Sequence, residues 1–410
     1  MTSAFKRLQL SAVCANFADG MSLVAFPLLA AAFTSSPLVI GSIAAARSLP
    51  WLLTSIHVGV LIDRRGADRL LLGSNTIRVG IFLALAILLL LPANAFLVAL
   101  AVVAFAAGVL EVVADNSTQT LLPSIVPQEQ LPAANARIQL IENAGLNLAG
   151  APVASALMGV HPAAPLIAIA TKYSLAAASL RKLLSGTRTR VRPGEAVAVL
   201  AGWTHIRRSR ALFTLAMTTA LINLAMAGSA AILVLYVEQR LRTPTWTYGL
   251  LLTAFALGTF LGAAIVPRIL GRTSETFVLR SVLLALPAPM LLIALTTDFW
   301  PSAAGQLGFG VLEIAWGIVA VSYRQEVVPA GLLGRVNAMY RMMAWGSVPI
   351  GAFLAGVFAE LMGIMGAYLA LTAILCTGWL VSLTIRPEIL DRERRPAQPE
   401  GQPEPEQEAA

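Results

Sequence analysis

The sequence is poor in charged residues and in cysteine. Of its 410 residues only 12% are charged, whereas a soluble domain carries about 25%. A soluble core of this size could not hide the 57% of residues that are hydrophobic, so the bilayer must be the solvent for most of them. The two cysteines, Cys14 and Cys376, both lie in apolar runs, which excludes a disulfide framework and a Cys/His metal site.

The motifs of an enzyme are also missing. The chain has no phosphate-binding glycine loop, no His/Asp metal cluster and no nucleophile motif. We therefore expect no enzymatic activity, no cofactor and no metal site, and the missing loop also excludes a self-contained ATP-driven pump. The net charge of +8 is not a nucleic-acid signal, because the basic residues lie in short loops and not on one stripe.

Apolar stretches long enough to cross a bilayer dominate what is present. Each has about 20 mainly apolar residues, and each should be a helix, because backbone polar groups find no water partner in lipid. The twelve predicted spans run near 8–33, 38–62, 72–91, 96–122, 135–160, 163–184, 211–238, 245–270, 276–297, 301–326, 336–361 and 364–385. Turn residues separate them at 35–37, 92–94, 161–162, 243–244 and 298–301. The sequence thus predicts an all-α membrane protein.

The distribution of Lys and Arg predicts the orientation. With the N-terminus inside, the outside segments hold only Arg240 and Arg242, whereas the inside segments hold most of the other basic residues. We expect a multi-pass protein of the plasma (inner) membrane with both termini in the cytoplasm. The basic stretch 194–209 favours an amphipathic helix on the inner leaflet.

Part of the sequence recurs 202 residues later. Gly108-Val109-Leu110-Glu111 matches Gly310-Val311-Leu312-Glu313, and Val126-Pro127, Leu131 and Asn135-Ala136 match Val328-Pro329, Leu333 and Asn337-Ala338. The pattern predicts a duplication, an arrangement that transporters use to build a binding site between repeats. We expect a six-helix repeat over 1–184, a cytoplasmic linker over 185–210, a second six-helix repeat over 211–386 and a disordered cytoplasmic tail over 387–410.

The loop after the second span resembles the signature loop of the major facilitator superfamily. The residues that carry the likeness are Gly59, Asp63, Arg64, Gly66 and Arg69. The chain is similar to the branch of enterobactin exporters and macrolide-efflux permeases in four further stretches, which are Ala18-Asp19-Gly20 with Pro27, Asp115-Asn116 through Pro123, Leu131 to Asn135, and Arg335 through Arg341 with Gly346, Pro349 and Gly351. The likeness covers residues 1–386. One departure is Ala151, where the antiporter-type motif of span five has Gly before Pro152.

This resemblance implies a function and partners. It implies a major facilitator fold that exports a small amphipathic molecule (a drug, a macrolide or a siderophore-like compound) by alternating access, with protons as the coupling ion. The expected partners are this substrate, protons and the lipid bilayer, without nucleic acid, and we expect a monomer. The alternatives are an uptake permease of the same fold and a membrane receptor or scaffold. The resemblance also implies that Asp63 forms a latch with the start of span eleven, around 335–337.

Ionisable residues inside the spans are the candidate functional groups. Each costs roughly 2.5–3.5 kcal/mol or more in the bilayer, so each is retained for a function or for a structural ion pair. They are Asp19, Arg47, Glu111, Asp115, Glu142, Lys172, Glu313 and Arg341. Lys172 is more easily explained by a side chain that extends to the interface. We expect Asp19 to line the cavity, with Arg47 or Arg341 as its charge partner.

Glu111 and Glu313 are equivalent under the repeat, and both lie near the middle of their spans. In the resembling fold, spans four and ten face the central cavity, so these two acids should face it from opposite halves. Asp115 lies one turn from Glu111 on the same helix face. Such carboxyl groups can bind a proton on one side of the membrane and release it on the other, as an antiporter requires.

The orientation can be tested directly. A topology reporter fused at Asn94 should report the outside, and one fused at Arg190 should report the cytoplasm, because the basic loops stay on the inner side. Alkaline phosphatase activity and green fluorescence measure the two locations. The same location for both fusions would contradict the predicted topology.

Overall fold

In a computed structural model, every regular element of the described residues is helical. These residues are 3–127, 130–181, 199–270 and 272–383. The α-helices are α1 Ser3–Phe33, α2 Pro37–Leu53, α3 Ser55–Arg65, α4 Ala67–Leu88, α5 Ala93–Ile125, α6 Leu131–Asn143, α7 Gly150–Met158, α8 Ala163–Arg181, α9 Val199–Arg208, α10 Arg210–Leu235, α11 Trp246–Leu270, α12 Glu275–Ala285, α13 Pro287–Leu295, α14 Phe299–Val327 and α15 Ala330–Ser382. Two π-helical turns, Ala144–Ala149 and Tyr236–Leu241, join α6 to α7 and extend α10. The predicted tail 387–410 and most of the predicted linker lie outside the described residues, and α9 is the described part of that linker.

Turn residues end the helices where the sequence predicts. Helices stop and restart around 34–36, 89–92, 159–162, 242–245 and 296–298. At the start of α2, the Ser36 hydroxyl accepts a hydrogen bond from the Val39 N–H at 3.5 Å. Pro37 follows at the first helical position, where the missing N–H costs little.

Nine helices of the described residues are long and apolar enough to cross a membrane by length and composition. Three features separate this number from the predicted twelve. The helix α2 is short, α6 and α7 are interrupted by a π turn, and α15 is two helices that meet at Gly363, which has a φ of 73°. Glycine tolerates this left-handed conformation. The twelve spans are recovered when these segments are read as separate crossings, and that count stays a prediction.

The apolar character of the helices continues on both of their faces. On α5, Leu100 and Ala104 are fully buried, whereas Val98 and Val102 are more than 60% exposed. A helix that is apolar all round is typical of a membrane span. The exposed apolar side chains are therefore the surface that lipid covers.

The repeat has a counterpart in helix packing. A Cβ added at Gly108 of α5 would meet the backbone oxygen of Arg47 on α2, and one added at Gly310 of α14 would meet the backbone oxygen of Phe255 on α11. The two glycines thus make equivalent contacts with different helices. This equivalence is what a duplication predicts, although the domain boundaries stay a prediction.

The two predicted repeats touch along α2 and α15 and along α7 and α11. A Cβ at Gly41 would lie 2.7 Å from the Ala352 oxygen, and one at Gly249 would lie 2.9 Å from the Pro152 Cα. Both contacts lie toward the helix ends that are predicted to face outward. The repeats are therefore closely packed on that side.

Within the first repeat, α1 meets the π turn and α7 with almost no side chain between them. A Cβ at Gly20 would lie 2.8 Å from the Leu146 Cα, and one at Gly150 would lie 2.6 Å from the Gly20 carbonyl carbon. Small residues let two backbones approach closely in a membrane. This contact fixes α1 against the segment that carries Glu142.

We expect Gly20→Ala to destabilise the protein by roughly 1–3 kcal/mol, because the added methyl group overlaps a backbone that cannot move aside cheaply. The measurement is the melting temperature of the detergent-solubilised protein by fluorescence-detected size exclusion. Gly80→Ala on α4 is the matched control, since a Cβ there meets no described atom within 4 Å. An equal melting temperature for the Gly20→Ala variant and the parent would contradict the close contact.

Candidate functional site

A cavity of about 460 Å³ lies at the helix ends that are predicted to face the cytoplasm. Most of its lining comes from the first repeat, and Arg341 on α15 is contributed by the second. Its polar groups are the carboxyl groups of Asp19, Asp115 and Glu142, the guanidinium group of Arg341, the amides of Asn16, Gln119, Asn135 and Gln139, and the hydroxyl groups of Ser11 and Thr118. Among the described residues, the lining includes no aromatic side chain. The cavity can therefore offer hydrogen bonds and negative charge to a ligand.

The carboxyl group of Asp19 at the inner end of this cavity is held by two buried residues. The Arg78 Nη1 lies 3.3 Å from the Asp19 Oδ1, and the Tyr173 hydroxyl donates to the same oxygen at 2.7 Å. The Arg78 guanidinium carbon also lies 4.8 Å from the centre of the Tyr173 ring. Arg78 is fully buried and Asp19 is 5% exposed, so these contacts lie in the interior. The ion pair joins α1 to α4, and the hydrogen bond from Tyr173 adds α8.

A second ion pair joins α2 to α5. The Arg47 Nη2 lies 2.8 Å from the Glu111 Oε2 and donates to the Ser22 hydroxyl oxygen at 3.1 Å. Both charged side chains are about nine-tenths buried. The same Arg47 nitrogen lies 3.5 Å from the backbone oxygen of Asp19, so the two ion pairs are neighbours on α1. The positive charge on Arg47 compensates Glu111.

Asp115 and Glu142 differ from these paired acids. Both line the cavity, and neither carboxyl group forms an ion pair or a hydrogen bond in the part of the chain that the structure describes. Arg341 faces the same cavity within electrostatic range of Glu142. These two carboxyl groups are therefore available to a proton or to a positively charged ligand.

The sequence-based charge partners need correction. Asp19 pairs with Arg78 and not with Arg47 or Arg341, because α4 turns Arg78 toward α1 while the Arg47 side chain continues to Glu111. Neither Glu111 nor Glu313, which were both predicted to face the cavity, is among its lining residues, and Glu313 has no ion-pair partner in the described part of the chain. The helix contacts explain the difference, since α11 places Phe255 where α2 places Arg47.

Other predicted residues lie away from this site. Gly59 and Arg64 on α3 and Arg69 on α4 are exposed, and Gly66, with a φ of 88°, joins the two helices. The side chains of Asp63 and Arg335 are outside the described residues, so the predicted latch at Asp63 stays a prediction. The Lys172 nitrogen lies 5.1 Å from the centre of the Phe17 ring.

Sequence reasoning missed Arg78 and Tyr173. For Arg78 a signal was present, because it is an arginine inside the third predicted span, where a charge is costly. No signal marked Tyr173, since a tyrosine in an apolar helix looks the same whether or not its hydroxyl group binds a distant carboxylate. The fold alone brings it to Asp19, 154 residues away.

Comparison with known proteins gives the family and an exporter among its relatives. A family model of the major facilitator superfamily, described as transmembrane secretion effector, matches residues 1–409. The multidrug efflux pump Tap of Mycolicibacterium fortuitum is 26% identical over 389 residues, which cover 88% of this chain and 90% of Tap.

Solved structures show the same fold at low identity. A bacterial homologue of the iron transporter ferroportin in an inward-facing state has a TM-score of 0.76 at 15% identity, and the match covers 94% of this chain and 99% of the homologue. A bacterial homologue of the human lysosomal transporter Spinster, inward-facing and occupied, has a TM-score of 0.73 at 12% identity, with 96% and 98% covered.

We expect Arg78→Ala to destabilise the protein by about 3–5 kcal/mol, because the buried Asp19 carboxylate then loses its counter-charge. The double variant Asp19→Asn, Arg78→Ala should recover part of this loss, since neither charge remains alone. Thermal unfolding in detergent measures both effects.

Arg268→Ala is the control, because the bond of this exposed side chain among the described residues is to the Ala264 oxygen of its own helix. It should leave the melting temperature near that of the parent. A double variant at Asp19 and Arg78 whose loss equals the sum of the two single losses would show that the pair is not coupled.

Proposed function

This chain belongs to the transmembrane secretion effector family of the major facilitator superfamily, and we propose that it exports a small amphipathic molecule from the cell in exchange for protons. It is a multi-pass membrane transporter of small molecules and not an enzyme. The efflux pump Tap supports the outward direction. Alternating access would expose the cavity to each side of the membrane in turn.

The observation that supports proton coupling is that some acids at or near the cavity have an arginine partner and others do not. Glu111 and Asp19 are each compensated by a buried arginine, whereas Asp115 and Glu142 face the cavity without an ion pair among the described residues. A carboxylate without a fixed partner can exchange between a proton and a cationic group of the substrate. We therefore place proton and substrate binding at Asp115 and Glu142, with Arg341 as the basic group on the opposite side.

The cavity chemistry bears on the substrate. Amides, hydroxyl groups and carboxylates line it, so the transported molecule should carry hydrogen-bonding groups and positive charge next to its apolar part. The close contacts between the repeats at the predicted outer ends support a state in which the cavity opens to the cytoplasm, from which an exporter loads its substrate. An uptake permease of the same fold would need to bind its substrate from the other side first.

The proposal predicts which acids couple transport of the substrate to the proton gradient. A deletion strain exposed to a panel of cationic dyes, macrolides and siderophores identifies the exported compound by a change in susceptibility or secretion. In proteoliposomes with an imposed pH gradient, Asp115→Asn and Glu142→Gln should then each lower transport of that compound to the rate measured without a gradient, because the amides cannot take up the proton.

Glu238→Gln is the matched control, since Glu238 is exposed at the end of the seventh span and has no hydrogen bond or ion pair among the described residues. It should transport like the parent. Coupling that is lost in Glu313→Gln and kept in the Asp115 and Glu142 variants would instead support the symmetric pair predicted from the repeat. Compound movement into the cell would support the uptake permease.

A further inference from the structure

One acid outside the cavity joins the two repeats at their predicted outer ends. Glu360 lies on α15, and its Oε2 accepts a hydrogen bond from the Ser36 hydroxyl at 3.0 Å and another from the Leu38 N–H at 3.3 Å. Both donors lie at the start of α2, in the other repeat. In the part of the chain that the structure describes, the Glu360 carboxylate forms no ion pair.

The start of α2 suits a carboxylate. The first N–H groups of a helix have no partner within it, and the helix dipole places partial positive charge there. Pro37 has no N–H to offer, so the first free backbone donor after Ser36 is the N–H of Leu38, which Glu360 uses. The carboxylate of one repeat thus completes the helix cap of the other.

The backbones of α2 and α15 approach each other closely beside this contact. The hydrogen bonds of Glu360 cannot persist if the two helices move apart. A Cβ at Gly356 would lie 2.8 Å from the Pro37 oxygen and 3.2 Å from the Gly41 Cα. Because the hydrogen bonds of Glu360 depend on this approach, rotation of one repeat away from the other at the outer side breaks them.

The cap of α2 does not depend on Glu360 alone. The Ser36 hydroxyl oxygen also accepts from the Val39 N–H of its own helix. When Glu360 leaves, Ser36 can still cap α2, so opening costs the interaction between the repeats and leaves the helix intact. A contact of this kind can form and break without unfolding either repeat.

We propose that Glu360 is a reversible latch that holds the outer ends of the two repeats closed while the cavity faces the cytoplasm. This latch proposal rests on the alternating access that the proposed function assumes. A single capping contact of this strength shifts a two-state equilibrium by roughly threefold to tenfold. That range is large enough to set which state the empty protein favours and small enough to be overcome in each transport cycle.

The test measures the distance between the outer ends and not transport. Spin labels are attached at Asn94 and Thr297, which are exposed in predicted outer loops of the first and second repeat, after both natural cysteines are replaced by alanine. Electron–electron resonance in lipid nanodiscs then gives the populations of short and long distances.

We expect Glu360→Ala to raise the ratio of long to short distances by about threefold to tenfold. Glu360→Gln should raise it less, because the amide oxygen can still accept both hydrogen bonds but carries no charge. Glu238→Gln, which changes another exposed acid of the second repeat, should leave the ratio unchanged.

Gly356→Ala shows that the labels report opening, since its methyl group would push α2 and α15 apart. An unchanged ratio in Glu360→Ala overturns the latch, whether or not Gly356→Ala opens the outer side. A changed ratio in a protein that exports no compound of the panel would keep the latch and reject the proposed export.

Discussion

A charge inside the bilayer must find its counter-charge within the protein, and the ion pair of Asp19 with Arg78 is where this constraint acts most strongly here. Arg78 is fully buried, and only a carboxylate at hydrogen-bonding distance makes such a position tolerable. Tyr173 completes the coordination of that carboxylate. Because these groups come from α1, α4 and α8, the pair ties three helices of the first repeat to one point.

The ion pairs also divide the acids of the first repeat into those with an arginine partner and those without one among the described residues. Glu111 and Asp19 are each compensated by an arginine of a neighbouring helix. Asp115 and Glu142 line the cavity without such partners among the described residues, and the residues that match them at the repeat spacing are Gly317 and Ala344. The cavity-lining acids are therefore concentrated in the first predicted repeat. The other supplies Arg341 to the cavity and Glu360 to the opposite end of the interface.

Much of the fold was predictable from the sequence, whereas the site was predictable only in part. Proline and small polar residues end the helices, and these signals are local, so the breaks agree with the structure. Asp19, Asp115, Glu142 and Arg341 were predicted to be functional and all line the cavity. Their partners were not predictable, because a partner depends on how neighbouring helices are rotated. Glu111 and Glu313 both end the sequence Gly-Val-Leu-Glu, yet only the helix packed against Gly108 carries an arginine at the contact.

The ion pair of Asp19 and Arg78 also limits how this chain can change over generations. Losing either residue alone leaves the other charge buried and unpaired, which lowers the free energy of unfolding by about 3–5 kcal/mol. This is a large share of the total free energy of unfolding, which is typically about 5–15 kcal/mol. A lineage can therefore abandon the pair only through two substitutions that arrive nearly together. Glu313 has no ion-pair partner among the described residues, so its replacement leaves no described counter-charge unpaired. Descendants of this transporter should accordingly keep or lose Asp19 and Arg78 together, while Glu313 changes independently of them.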